Sequence, residues 1–62
     1  GMSPMTYLNR YRLSAASVLL TRTDLTIAEV ASSVGYTDPF YFSRQFRRLF
    51  QVSPRDYRKA GV

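Results

Sequence analysis

Residues 26–50, TIAEVASSVGYTDPFYFSRQFRRLF, decide the fold of this chain. Thr26 and Glu29 have the spacing of a capping box, in which each side chain bonds the backbone N–H of the other residue, so a helix is predicted over residues 27–34. Gly35 then supplies the left-handed residue at which helices commonly end. The first half of the stretch therefore predicts a short helix with a defined start and end.

A second helix is predicted a few residues later. Asp38 offers a side-chain acceptor at the N-cap, and Pro39 suits the first helical position because an N–H there would have no helical partner. The helical pattern continues to about Phe50. Two helices joined by so short a turn, with the small Ala31 at their crossing, are typical of a helix-turn-helix.

Two further helices flank this pair. A Ser-Pro pair at positions 3–4 predicts a helix to about residue 21, and the same pair at positions 53–54 predicts a short last helix that ends before Gly61. No segment alternates between apolar and polar residues as a strand does. The predicted fold class is all-α: a small helical domain with a long linker helix, a helix-turn-helix and a short C-terminal helix.

Apolar residues at helical spacing predict which face of each helix enters the core. On the two central helices these residues are Ile27, Val30, Ala31 and Val34, then Phe42, Phe46, Leu49 and Phe50. The last helix is expected to add Tyr57. On the linker helix a broad arc is predicted to pack: Met5, Leu8, Tyr11, Ala15, Ala16, Leu19 and Leu20.

Arg12 intrudes into the apolar arc of the linker helix. We expect its methylene groups to lie along the core and its guanidinium to pair with Glu29 or Asp38, because a charge that leaves water needs a partner.

The charge of the chain is concentrated in its last third. Nine Lys and Arg stand against four Asp and Glu, a formal net charge of +5, and the cations and carboxylates cancel up to Pro39, so residues 40–62 hold the whole excess. All the cations except Lys59 are Arg, whose planar fork suits phosphates and base edges better than lysine does. The C-terminal third therefore points to an anionic partner.

The composition excludes several classes of function. The chain has no Cys and no His, which removes thiolate nucleophiles, imidazole bases and the usual zinc sites. With four carboxylates left, we expect no enzyme, no metal site and no cofactor. The apolar runs are far shorter than the roughly 20 residues that span a bilayer, and the start does not resemble a signal peptide, so a cytoplasmic protein is expected.

The polar face of the helix over residues 39–50 carries the candidate binding residues. An α-helix fits the major groove of DNA, and Arg is the commonest direct reader of guanine there. We therefore predict that this helix enters the major groove of double-stranded DNA with its Asp38 end first. The predicted contact residues are Pro39, Phe40, Tyr41, Ser43, Arg44, Arg47 and Arg48, with Arg44 as the leading base reader.

Alternatives are open for single residues and for the whole domain. Phe40 either reaches the groove or folds back under the turn as core, and Arg47 and Arg48 contact phosphates or base edges. The alternative function is a protein-interaction module that binds an acidic partner, such as a subunit of RNA polymerase, through the same face. Binding to a membrane surface is disfavoured because the core needs the apolar face of this helix. The basic residues of the last helix either contact phosphate or only make the surface of that helix soluble. These residues are Arg55, Arg58 and Lys59.

A short repeat bears on the domain organisation. Ser3-Pro4-x-x-Tyr7 recurs as Ser53-Pro54-x-x-Tyr57, and each copy opens a helix. The second copy closes a helix-turn-helix unit over residues 23–62. We therefore expect residues 1–22 to be a linker helix that also forms the tail of a preceding unit of the same kind.

The chain resembles the AraC/XylS family of bacterial transcription regulators. The resemblance rests on IAEVA at 27–31, VGYTD at 34–38, YFSRQFRR at 41–48 and Ser-Pro at 53–54 with Tyr57 and Arg58. It implies a DNA-binding region of two helix-turn-helix units joined by one long helix. It also implies a separate sensor or dimerisation domain elsewhere in the parent chain and, in many members, contact with RNA polymerase.

The sequence departs from the family pattern at two places. Gln51 stands where the family usually has the glycine that Gly1 provides in the first copy, so Gln51 either adopts a left-handed backbone at a cost of roughly 1 kcal/mol or the turn differs. Pro39-Phe40 occupies a variable position at the tip of the recognition helix, which leaves the operator sequence undefined.

Overall fold

The computed structural model describes residues 3–60, and this part of the chain contains no strand. Its four helices are α1 (Pro4–Arg22), α2 (Ile27–Ser33), α3 (Pro39–Phe50) and α4 (Pro54–Ala60). The all-α class is confirmed, and each helix begins at the residue that the sequence predicts. The roles predicted for Gly1 and Gly61 lie outside the described residues.

The helices begin where side chains satisfy their first backbone N–H groups. Ser3 Oγ accepts from the N–H of Thr6 at 3.2 Å, and Asp38 Oδ1 accepts from the N–H of Phe40 at 2.9 Å. Ser53 plays the same part at the start of α4. Because these caps are local in sequence, the start of each helix follows from its own residues.

The capping box of α2 is complete. The N–H of Thr26 donates to Glu29 Oε1 at 2.8 Å, and the N–H of Glu29 donates to Thr26 Oγ1 at 3.1 Å. The bond from the Thr26 backbone, and then that from its side chain, lower the pKa of Glu29. The carboxylate therefore supports the helix start at neutral pH, and this support is lost as the pH falls through the lowered pKa.

Gly35 ends α2 in the left-handed region, with φ of +97°. This confirms its predicted role, since an L side chain there would be strained. The next residue returns into the core: the N–H of Tyr36 donates to the carbonyl of Ala31 at 2.9 Å, and the Tyr36 ring is buried.

The core lies where α1, α2 and α3 meet. It confirms the predicted inner faces of α2 and α3, because Val30, Ala31, Phe42 and Phe46 have no exposed surface, and Ile27, Val34, Leu49 and Phe50 pack against them. The buried apolar residues are Leu13, Ala16, Leu20, Val30, Ala31, Tyr36, Phe42 and Phe46.

A row of aromatic rings joins α3 to α4. The centroids of Phe42 and Phe46 lie 5.9 Å apart, Phe46 and Phe50 stack at 4.4 Å, and Tyr57 meets Phe46 edge-on at 5.4 Å. These arrangements are the ones that aromatic quadrupoles favour. Tyr57 is therefore a core residue beneath α3, as predicted.

The predicted packing face of α1 is wrong in part. Ala16 and Leu20 are buried, but Met5, Leu8 and Tyr11 are exposed, and the third buried position of α1 is Leu13. Apolar residues surround most of α1, so their spacing does not define one direction. The other helices pack on one side only, and nothing within residues 3–60 covers the far side of α1.

The predicted ion pair of Arg12 is also wrong. The carboxylates of Glu29 and Asp38 accept backbone N–H groups at the starts of α2 and α3, and Arg12 pairs with neither within residues 3–60. Its guanidinium lies over Gly35 instead, where a Cβ would be 3.4 Å from Arg12 Cζ and Nε. Arg12 thus packs against the end of α2 and stays half-buried.

Gln51 adopts the left-handed conformation at the end of α3, with φ of 67°. The first of the two possibilities stated for this residue is therefore the correct one. Its side-chain Nε2 donates to the carbonyl of Arg48 at 3.2 Å, and this bond offsets part of the roughly 1 kcal/mol that a left-handed non-glycine residue costs.

Phe46→Ala is expected to lower the free energy of unfolding by about 3 to 5 kcal/mol, because it removes a ring in contact with two helices and leaves a cavity. A domain of this size has little more stability than that to lose. Thermal denaturation followed by circular dichroism measures the effect. Phe40→Ala, on the same helix but 79% exposed, is the matched control and should melt like the parent. A cooperative melt of Phe46→Ala close to that of the parent would contradict the assigned core.

Candidate nucleic-acid interface

α3 presents two faces of opposite character. Phe42 and Phe46 are buried on one, while Arg44, Arg47 and Arg48 are exposed on the other. With 12 residues, α3 is about 18 Å long at 1.5 Å per residue, which is enough to lie along several base pairs. All seven residues predicted to contact DNA belong to this helix, and Pro39 and Ser43 are the half-buried members of the set.

The arginines surround a shallow depression of about 460 Å³, which is lined by Arg44, Arg47, Arg48 and Gln51. No acidic residue lines it, and none of the three arginines forms an ion pair within residues 3–60. Three guanidinium groups around one depression form a concentrated positive surface, and each can donate two parallel hydrogen bonds to a phosphate or to a guanine edge.

The N-terminal tip of α3 is held by its cap. With Asp38 bonded to the N–H of Phe40, the ring of Phe40 projects into solvent and is 79% exposed. The alternative in which Phe40 folds back into the core is therefore wrong. Tyr41 is 45% exposed, and its ring lies 6.1 Å from that of Tyr36.

Tyr36 holds α3 against α2. It is part of the VGYTD motif at 34–38, but the sequence did not indicate this structural role. Its ring centroid lies 5.4 Å from that of Phe42, and its hydroxyl is buried without a hydrogen-bond partner among residues 3–60. Burial raises the pKa of Tyr36, Tyr41 adds to the rise, and the Arg12 guanidinium opposes it. The only local signal for this residue is its place directly after Gly35, where the chain turns back to the core.

Arg58 anchors α4 to the end of α1. Its Nε donates to the carbonyl of Leu20 at 2.9 Å and its terminal nitrogen donates to the carbonyl of Thr23 at 3.3 Å. These carbonyls lie at the C-terminus of α1, where a cation is also favoured by the helix dipole. Arg58 therefore has an internal role, which differs from both predicted alternatives, phosphate contact and solvation of the last helix. Arg55 and Lys59 are exposed.

Residues 3–60 show neither a metal site nor a membrane-spanning helix. The described residues hold no group of three or more Asp and Glu that could bind a metal ion. Within the same range, no helix combines the length and the apolar character that a bilayer crossing requires.

Comparisons with known proteins agree with this geometry. Residues 1–60 match the family described as "Helix-turn-helix domain". The chain is 41% identical over 61 residues to the HTH-type transcriptional regulator MtrA of Neisseria gonorrhoeae, covering 98% of this chain and 20% of that protein. It is 46% identical over 59 residues to the HTH-type transcriptional activator RhaS of Salmonella arizonae, covering 95% and 21%. The chain thus spans about a fifth of the length of these curated relatives.

Two solved structures share the fold. The C-terminal domain of AraT, a response regulator from Geobacillus stearothermophilus, superimposes with a TM-score of 0.96 at 39% identity, over 100% of this chain and 51% of that one. The C-terminal domain of the two-component response regulator yesN from Fusobacterium nucleatum gives a TM-score of 0.91 at 36% identity, over 94% and 56%.

Arg58→Ala is expected to destabilise the fold by about 1 to 3 kcal/mol, because two carbonyls at the end of α1 lose a charged donor. Chemical denaturation measures the change. Lys59→Ala, the exposed neighbour on the same helix, is the control and should leave the denaturation midpoint unchanged. If Arg58→Ala keeps the parent's stability and only weakens binding to polyanions, Arg58 is a surface contact and its anchoring role is wrong.

Proposed function

This chain belongs to the helix-turn-helix family of AraC/XylS-type transcription regulators, and from that premise we propose that α3 is a recognition helix that reads the major groove of double-stranded DNA. The relatives are transcription regulators, so the prediction that the chain is not an enzyme is confirmed.

The division of α3 into two faces is the observation that supports this proposal. Phe42 and Phe46 hold one side of the helix in the core, so the opposite side must face outward with its three arginines. The diameter of an α-helix with its side chains, about 10 to 12 Å, matches the width of the major groove, about 12 Å. The Asp38 end enters first, as in other helix-turn-helix proteins.

The positions on α3 suggest a role for each residue. Arg44, in the middle of the exposed face, is the leading base reader. Phe40 and Ser43 contact the groove near the tip, with Pro39 and Tyr41 beside them, and Arg47 and Arg48 bind phosphates or base edges.

The competing function is binding of an acidic protein surface, such as that of an RNA polymerase subunit. The exposed ring of Phe40 favours it, since exposed aromatic residues beside arginines are typical of protein interfaces. Binding that depends on duplex sequence at fixed salt distinguishes the two functions.

We also propose that residues 1–22 link the unit over residues 23–62 to a preceding helix-turn-helix. The Ser-Pro-x-x-Tyr repeat supports this, as does the uncovered apolar side of α1, where Tyr7, Tyr11 and Val18 are at least half exposed. The two solved domains are nearly twice as long as the part they share with this chain. A sensor or dimerisation domain would occupy a further part of the parent chain. A DNA-binding role would place the parent protein in the cytoplasm.

Arg44→Ala is expected to weaken binding to a specific duplex by about 1 to 3 kcal/mol and to leave binding to random duplex nearly unchanged, as the loss of a bidentate base contact does. The specific duplex is obtained by selection from a randomised pool, and fluorescence anisotropy at fixed salt measures both affinities. Arg22→Ala, which changes an exposed arginine at the far end of α1, is the control. Equal losses on both duplexes would contradict the base-reading role.

The two-unit proposal predicts weak, strongly salt-dependent binding by the 62-residue chain. Three to five phosphate contacts give a slope of log K against log salt of about −3 to −4.5. Adding the parent's preceding unit makes the second contact intramolecular, so affinity should rise by about 10² or more. α1 is about 28 Å long and the two major-groove faces are roughly 34 Å apart, so bending of the DNA should accompany this gain.

A salt series with both proteins on the same duplex checks this prediction. If the 62-residue chain alone already has the affinity and salt slope of the two-unit protein, the unit is self-sufficient and the proposed linkage is wrong.

A further inference from the structure

A groove of about 530 Å³ separates the N-terminal half of α1 from the C-terminal half of α3. Its floor is formed by leucine side chains of both helices, and its rim is polar. α1 contributes Thr6, Asn9 and Arg10 to the rim, and α3 contributes Gln45 and Arg48. None of the four carboxylates of the chain lines it.

The groove is continuous with the arginine depression on α3. Arg48 lines both cavities, since it lies between the exposed centre of α3 and the side that faces α1. A partner that covers the depression around Arg44 therefore reaches the rim of the groove without crossing an apolar surface.

The geometry of a helix in the major groove indicates what passes over this position. The helix nearly fills the width of the groove, so a sugar-phosphate strand runs along each of its sides. On the side of Gln45 and Arg48, the element that flanks α3 is α1. The strand on that side would therefore lie between Arg48 of α3 and Arg10 of α1.

The rim has the chemistry that a phosphodiester requires. Two guanidinium groups, two side-chain amides and a hydroxyl can donate hydrogen bonds, and phosphate contacts in protein–DNA complexes come from these same side-chain types. An acidic protein could also bind the arginines, but this groove is polar at its rim and no aromatic side chain lines it, which favours a phosphate backbone.

We propose that the groove between α1 and α3 seats one strand of the DNA backbone, with Arg10 and Arg48 as phosphate-binding residues on its two sides. This proposal rests on the proposed function and extends the DNA-binding surface from α3 onto the linker helix. α1 would then bind DNA itself in addition to linking two units.

A salt titration with a random-sequence duplex tests the role of Arg10. Arg10→Ala should reduce the magnitude of the slope of log K against log salt by about 1, which lowers the affinity on the order of tenfold at 0.1 M salt. Arg10→Lys keeps the charge and should retain most of the slope. Arg22→Ala removes another exposed arginine of α1 that lies outside the groove, and it should match the parent. Circular dichroism melts of all three variants verify that the fold is intact.

A second measurement locates the contact. In the selected duplex, single phosphates are replaced in turn by neutral methylphosphonates, and binding is measured for the parent and for Arg10→Ala. At the phosphate seated in the groove, the replacement should weaken the parent several-fold and weaken Arg10→Ala by a smaller factor, because Arg10→Ala has already lost one of the two arginine contacts to that phosphate.

The outcomes separate the two proposals. If Arg10→Ala has the same slope as Arg22→Ala while Arg44→Ala still loses sequence preference, the groove proposal is wrong and the proposed function stands. If the methylphosphonate weakens Arg10→Ala by the same factor as the parent at every phosphate, the two changes act independently and the groove proposal is also wrong. If the parent binds duplex DNA without regard to sequence and Arg44→Ala changes nothing, the proposed recognition by α3 is wrong instead.

Discussion

The burial of Phe42 and Phe46 is the constraint on which the rest of the structure depends. Both rings are completely buried, and together they contact Tyr36 in the turn, Phe50 on their own helix and Tyr57 on α4. Burial of rings of this size stabilises a fold by a few kcal/mol each, more than any surface contact of the domain supplies. Because the rings fix the rotation of α3, they also determine that its arginines face solvent. The proposed binding surface is thus a consequence of the core.

Local signals explain why so much of the fold could be predicted from the sequence. The capping box of Thr26 and Glu29, the Ser-Pro and Asp-Pro starts and the glycine after α2 act within a few residues, so they fix the helix bounds without tertiary information. The inner face of α3 was equally predictable, because its phenylalanines lie on one side and its arginines on the other. The exposed members of the candidate site follow from that same division.

The parts that could not be predicted depend on contacts between distant residues. Arg58 reaches carbonyls 38 and 35 positions earlier in the chain, and no spacing rule links such residues. Arg12 lies over Gly35 because the carboxylates expected to bind it already cap helices. The rotation of α1 was ambiguous because apolar residues surround it, and only packing against the other helices selects Leu13 over Tyr11. The groove between α1 and α3 depends on that rotation, so the local sequence pattern does not predict it either.

The crowding of positive charge on α3 shows how stability and binding are balanced. Arg44 and Arg48 are four residues apart, and like charges at this spacing cost a helix about 0.2 to 0.5 kcal/mol. Arg47 and Arg48 lie in the last turn, where the helix dipole favours cations and offsets much of that cost. Arg44 in the middle of the helix gains no such compensation within residues 3–60, because no carboxylate there pairs with it. The DNA binding proposed for α3 would remove this repulsion, so an arrangement that slightly weakens the free helix would strengthen the complex.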